Sequence, residues 1–305
     1  MRRVILSLSV VGLLAACNNK DYYEQDIDPI YFANKIHEEI LPIGGTGTIT
    51  TDYEFKYRGL GLLENQNITI SAPFISTQQL AYETSYDGSF PRTTLYKVGG
   101  TTVSTTTYDQ YVDRGSIMKK TTTEVGRENF PTVEEYEYYN RNTLSKYTSE
   151  VKTTTNTTVH TEKEYIWMGS NELNVKTSVY TQTGGSISSP TVITTDKYII
   201  NYNETVKEHT HTENGQTVTI SYTYDNKTNP RYLQFSHRMT HPEFFLQEGY
   251  NRNNITKKTV KYSHVSGQDY EEETAYEYFK NEYPLKAIIK RNGTVVGSKE
   301  FTYIK

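Results

Sequence analysis

The 305-residue chain contains one cysteine, one tryptophan and nine prolines, and each shortage closes off a class of protein. A lone Cys17 forms no disulfide within the chain and supports no cysteine-based metal cluster. Stability must therefore come from packing and backbone pairing. The one clearly apolar stretch, Val4 to Leu13, covers about half of the ~20 residues that a transmembrane helix needs. Basic residues are also not in excess. Lysine and arginine number 32 against 36 aspartate and glutamate, a formal net charge of −4, so nucleic acid and anionic membrane surfaces are poor partners. There is no His-Glu-x-x-His, no Gly-x-Ser-x-Gly, no phosphate-binding glycine loop and no EF-hand-like acidic loop. We assign no catalytic residue, no cofactor and no metal ligand set from motifs.

What the chain does contain is tyrosine, 28 residues against 10 phenylalanines, together with threonine runs such as Thr105-Thr106-Thr107 and Thr121-Thr122-Thr123. Both residue types favour strands. The hydrophobic period is two. In 217–224, Val218, Ile220, Tyr222 and Tyr224 fall on one side and Thr217, Thr219, Ser221 and Thr223 on the other, as in a strand with one buried face. Residues 256–263 place Val260 and Tyr262 opposite Lys257, Thr259, Lys261 and Ser263, and 285–289 bring Leu285, Ala287 and Ile289 together. Turn chemistry separates these runs: Asn214-Gly215 and Asn292-Gly293 are the pairs that type I′ hairpins prefer, and Gly44-Gly45, Gly184-Gly185 and Ser266-Gly267 punctuate the chain elsewhere. The pattern predicts an all-β fold, an antiparallel meander of successive hairpins curled into a strongly bent sheet or open barrel. A short piece from Pro29 through Ala33 is the best helix candidate after the leader.

The N-terminus resembles a bacterial lipoprotein signal peptide. Arg2 and Arg3 give the positive region, Val4–Leu13 the apolar core, and Leu14-Ala15-Ala16-Cys17 a close match to the lipobox. The resemblance implies cleavage before Cys17 and acylation of its thiol, which makes the membrane a partner through the acyl chains. Residues 1–16 are then the signal, 17–28 a polar tether and 29–305 a single β domain. Lys20-Asp21 with Glu24 resembles the lysine-plus-acid signal of Bacteroidota surface lipoproteins, which implies an outer-membrane location with surface display ahead of periplasmic orientation.

A degenerate repeat underlies the strands. Tyr86-Asp87-Gly88 leads to Pro91-Arg92, Tyr222-Thr223-Tyr224-Asp225 to Pro230-Arg231, and Tyr276-Glu277-Tyr278 to Pro284-Leu285-Lys286. Tyr136-Glu137-Tyr138 leads to Leu144-Ser145-Lys146, and weaker copies occur at Tyr165-Ile166-Trp167 and Tyr202. Each unit is an aromatic strand end, an Asx or Gly turn, then a proline or leucine and a base opening the next strand. These units resemble the YD repeat of the RHS family, and more closely the YD-like lipoproteins of Bacteroidota. The resemblance implies curved β architecture and a lipid-anchored envelope protein with a structural or binding role, its partner a glycan or another envelope protein.

A few residues invite chemistry. His209 and His211, two apart, project from one strand face and with Glu213 would supply half a zinc site. Alternation with Thr210 and Thr212 just before a turn fits a polar, solvent-facing row, and we adopt that reading. His237 and His241 flank a loop with Phe244 and Phe245 beyond. Glu271 and Glu273 share a face opposite Glu272; paired carboxylates serve glycoside hydrolases or lyases, whereas charge on an edge strand prevents sticking. The tyrosine row is either the core or a sugar-binding surface, which leaves a glycan-binding accessory protein as the first alternative and a carboxylate-dependent hydrolase or lyase as the second.

Overall fold

Period-two alternation needs a sheet with two unlike faces, and the computed structural model supplies one. It describes residues 31–304 except 59–61, 74, 113–115, 141–142, 202–204, 235–238, 265–266 and 281. The strands are β1 (Phe32–Ile40), β2 (Ile49–Arg58), β3 (Leu62–Ala72), β4 (Ile75–Asp87), β5 (Phe90–Val98), β6 (Thr101–Tyr111), β7 (Ile117–Glu124), β8 (Thr132–Tyr138), β9 (Leu144–Thr154) and β10 (Thr157–Met168). They continue as β11 (Glu172–Thr183), β12 (Ser186–Ile187), β13 (Thr191–Ile200), β14 (Val206–Glu213), β15 (Gln216–Thr228), β16 (Asn253–Tyr262), β17 (Tyr270–Phe279), β18 (Tyr283–Arg291) and β19 (Thr294–Ile304).

Each strand pairs antiparallel with the next. The exception is β12, a two-residue piece folded back on the end of β11, so that β11 pairs directly with β13. β1 pairs with β2 on one side and β19 on the other, and the meander closes into an 18-strand barrel. Closure gives every strand of the ring a partner on both sides, which removes the open edges of a flat sheet. The Asn-Gly hairpins form as expected, with Asn214 and Gly215 at φ 50° and 76° and Asn292 and Gly293 at φ 49° and 81°. The helix considered at Pro29–Ala33 does not form at its described end. Phe32 and Ala33 open β1, where Ala33 pairs with Tyr303, because the ladder satisfies backbone groups that one helical turn would leave open. Pro29 and Ile30 lie outside the described residues.

Register settles which way each row points. Val218, Ile220, Tyr222 and Tyr224 of β15 stand opposite Tyr262, Val260, Lys258 and Ile255 of β16, and this row faces inward. The inward rows of the whole barrel build one core from Tyr108, Ile117, Tyr136, Leu144, Tyr165, Leu173, Val175 and Ile200, and a smaller one from Ala33, Ile36 and Phe55. The outward rows carry threonine and cross-strand ion pairs. Lys35 lies 2.7 Å from Glu54, Lys97 2.7 Å from Glu83, Lys119 2.7 Å from Glu135, Lys146 3.0 Å from Glu162, Lys257 2.8 Å from Glu271 and Lys286 3.1 Å from Glu300. Such exposed pairs contribute little stability each; their meaning is that this wall is polar.

The recurrent aromatics have a common task at the end of the barrel where β1 starts. Near the end of its strand, each reaches back to the main-chain carbonyl near the start of the preceding strand. Tyr57 donates to Ala33 at 2.9 Å, Tyr86 to Leu63 at 2.6 Å, Tyr111 to Pro91 at 2.5 Å and Tyr138 to Ile117 at 2.6 Å. The Trp167 indole donates to Leu144 at 3.3 Å, Tyr224 to Val206 at 2.7 Å, Tyr276 to Ile255 at 3.1 Å and Tyr303 to Pro284 at 2.7 Å. Register shifts sit beside Tyr57, Tyr86, Tyr111 and Tyr138, and an extra residue in a strand is the ordinary way to re-aim a side chain. Tyrosine suits the role because its ring fills the interior while its hydroxyl meets an otherwise open carbonyl.

Two outcomes are expected. Tyr138→Phe, which keeps the ring and removes the donor, should cost about 1 kcal/mol in urea unfolding. Burial also holds the hydroxyls of Tyr138, Tyr224 and Tyr303 well above the usual tyrosine range. Their raised folded-state values leave stability intact below pH ~10, the unfolded value. Above it the unfolded chain ionises first, and stability falls by up to about 1.4 kcal/mol per pH unit for each such tyrosine. Unfolding followed by circular dichroism between neutral and strongly alkaline pH should show this steep loss, and each Tyr→Phe change should flatten it.

Candidate functional site in the barrel lumen

The connection between β15 and β16 does not turn outside the barrel. It folds inward as a plug. Asn229 accepts a hydrogen bond from the Arg231 amide at 3.0 Å and starts a 3-10 turn, Pro230–Leu233; two more follow at Phe244–Leu246 and Glu248–Tyr250. Pro230-Arg231, expected to open a strand, opens the plug instead, because the Asn229 side chain supplies a local cap.

Hydrogen bonds hold the plug to opposite walls. Asn251, buried, accepts from the Val206 amide at 3.1 Å and donates to Glu248 O at 3.1 Å. The Gln234 amide lies 3.4 Å from the Tyr57 hydroxyl. Lys163 of β10 donates to both Glu243 oxygens at 2.9 and 3.1 Å, and the Tyr165 hydroxyl also donates to Glu243. Phe245 stacks on Trp167 with ring centroids 6.2 Å apart, and the Arg231 guanidinium lies 4.5 Å from the Tyr53 ring centre. Asp225, at the root of the plug, accepts from the amides of Lys227 and Asn254 and from the Tyr278 hydroxyl.

Two clefts flank the plug. The smaller, about 300 Å³, lies against β1 and β16–β19 and is charged. Its carboxylates are each matched: Glu38 lies 2.5 Å from Lys299, Glu248 2.8 Å from Lys258, and Glu272 2.7 Å from Arg291. The larger, about 430 Å³, lies against β3–β7 and is lined by aromatic rings, hydroxyls and the Gln66 amide, with Lys120 and His241 also on its wall. Tyr82 and Tyr96 stack there at 4.9 Å and 25°. Thr84, Thr94 and Tyr108 join hydroxyls at 2.9 and 3.1 Å. Lys120 meets Glu134 at 3.2 Å, and Glu134 also accepts from Tyr147 at 3.0 Å. Flat apolar faces beside hydroxyl and amide groups suit a ligand with both C–H and O–H surfaces.

The residues singled out from sequence fall in several places. Cys17, Tyr202 and His237 lie outside the described residues. His241 lines the larger cleft, and Phe244 and Phe245 belong to the plug. Glu271 and Glu273 face outward and Glu272 inward. β17 has neighbours on both sides, so these charges guard no edge; Glu271 pairs with Lys257 and Glu272 with Arg291. His209 and His211 face the lumen, opposite Ile220 and Val218. On the neighbouring strand β13 they meet Asp196, whose Oδ1 lies 2.7 Å from His209 Nε2 and 2.8 Å from His211 Nδ1. Burial pushes the Asp196 carboxyl up, but hydrogen bonds from both imidazoles outweigh it and hold it below its ordinary value. Sequence reasoning misses Asp196 because only the β13–β14 register, which pairs it with His211, makes it a neighbour.

No protein-family model and no curated protein sequence matches the chain. Crystal structures that resemble it include two from Bacteroides. A porin-like protein from Bacteroides uniformis ATCC 8492 is 10% identical, with 89% of this chain and 98% of that one covered at a TM-score of 0.43. A porin-like protein from Bacteroides vulgatus ATCC 8482 is 9% identical, with 90% and 99% covered at a TM-score of 0.43.

The Glu243 contacts make the plug testable. Glu243→Ala strands Lys163 and Tyr165 in a half-buried place and should cost about 1.5–3 kcal/mol, the range for hydrogen bonds to charged groups. Urea unfolding measures the loss, and limited proteolysis should cut first within 229–252.

Proposed function

We propose that the protein is a lipid-anchored, non-enzymatic binding barrel of the bacterial cell envelope, akin to YD-like lipoproteins of Bacteroidota. Acylated Cys17 holds it to the outer membrane with the barrel displayed at the surface, and the larger cleft takes a glycan. The observation that carries this reading is the polarity of the two walls. The outer wall bears the Lys–Glu pairs at Lys146–Glu162 and Lys257–Glu271. A lysine at the middle of a bilayer costs about 2–4 kcal/mol on a lipid-facing barrel wall, so this wall favours water. The aromatic and hydroxyl-bearing surface is turned inward, onto an open cleft.

Attachment at one end then supplies the membrane association that the wall does not. Among the described residues the first strand begins at Phe32, at the rim where the tyrosine hydroxyls gather, so an anchor upstream pulls on that rim. The non-enzymatic reading draws support from five glutamates of the lumen, since Glu38, Glu134, Glu243, Glu248 and Glu272 each have a lysine or arginine partner. An acid/base pair working on a glycosidic bond needs one carboxyl kept protonated and unpaired.

Two measurements test the proposal. Fatty-acid labelling and membrane fractionation should find the wild-type protein acylated and membrane-bound, and Cys17→Ser unlabelled and released. Persistent labelling of the variant would sink the anchor. A glycan array on the released protein should return binders whose affinity falls roughly tenfold in Tyr82→Ala or Tyr96→Ala, about 1.4 kcal/mol for losing one stacking face. Binding that is indifferent to both changes would remove the larger cleft from the account.

A further inference from the structure

We propose that Asp196, His209 and His211 form a binding site for a divalent transition metal of the zinc class on the lumen wall. The three offer one ligand atom each, all within 4.8 Å of one another. Three features make this a built arrangement. The ligands sit on two hydrogen-bonded strands in direct register, Asp196 opposite His211 and Tyr198 opposite His209, so the backbone fixes their spacing. The Tyr198 ring stacks on His209 at 4.3 Å and 5°, which fixes that imidazole's plane. The far nitrogen of His211 lies 3.7 Å from Glu213 Oε2, an outer carboxylate of the kind that orients metal-bound histidines.

The Asp196 oxygen stands at hydrogen-bond distance from both imidazoles, 2.7 and 2.8 Å. An ion bound at ~2.0–2.2 Å from each ligand requires these atoms to spread by a fraction of an ångström, which rotation of the Asp196 side chain provides. Each imidazole binds as the neutral ring, with its proton on the nitrogen turned away from the ion. For His211 that nitrogen faces Glu213. Two imidazoles and one carboxylate suit zinc, nickel or copper and disfavour magnesium and calcium. With side-chain exposures of 14% for Asp196, 21% for His209 and 34% for His211, an ion reaches the site from the lumen. Three protein ligands leave a coordination position for water or for an anionic group of a bound ligand.

The test uses the untagged protein freed of metal with a chelator. Titration with zinc chloride by calorimetry should show one saturable ion per chain, with no heat from magnesium chloride. Cobalt chloride should give the visible absorption of a nitrogen-ligated four- or five-coordinate ion. In the wild-type protein, zinc should shift the imidazole NMR signals of His209 and His211 and leave those of His37 and His160 in place. Asp196→Asn should weaken binding at least tenfold, and Glu213→Gln by a smaller factor. Absence of saturable zinc binding, or zinc shifts at other histidines alone, overturns the proposal. The wild-type NMR result decides it even if a variant fails to fold.

Discussion

The pairing of β1 with β19 is the contact on which the rest of the barrel depends. It joins Phe32 to Ile304 and Ile36 to Phe301, residues from opposite ends of the chain. Without it the meander is a sheet with two open edges, and the distinction between an inner and an outer wall disappears. With it, every strand of the ring has two neighbours, and the side-chain alternation of each hairpin becomes a choice between lumen and solvent. The plug, the clefts and the histidine cluster all take their surroundings from that closure.

Much of the local structure was legible in the sequence because it depends on neighbours in the chain. Val218, Ile220, Tyr222 and Tyr224 announced their shared face, and Asn214-Gly215 its hairpin, since period and turn chemistry act over a few residues. Closure was not legible, because nothing in β1 names β19 as its partner. The direction of a face was hidden for the same reason. Thr210 and Thr212 alternate with His209 and His211, and either pair reads as solvent-facing until the sheet curls. Arg231 shows the limit most clearly. Pro91-Arg92 and Pro230-Arg231 carry the same local chemistry, yet one lies in β5 and the other starts a turn inside the barrel. What separates them is Asn229 and the space the lumen offers.

The tyrosine content also finds its reason here. A barrel of this circumference has more interior than Leu, Ile and Val can fill, and a ring that ends in a hydroxyl fills space while satisfying a carbonyl that strand pairing leaves over. The same residue then serves two regions differently. At the rim, hydroxyls are used up on backbone acceptors such as Ile117 O and Val206 O. Along the larger cleft, Tyr82 and Tyr96 stack on each other, and Tyr82 stays partly exposed.

The seam strand has a mechanical consequence. β1 is the first strand among the described residues, and it is hydrogen-bonded along both sides, to β2 and to β19. A pull on the residues before Phe32 therefore runs along the strand axis and strains many ladder bonds in parallel, a shear geometry. It cannot open them one at a time as it could at a free edge. The strand that closes the barrel thus loads both of its ladders together when the chain before it is under tension.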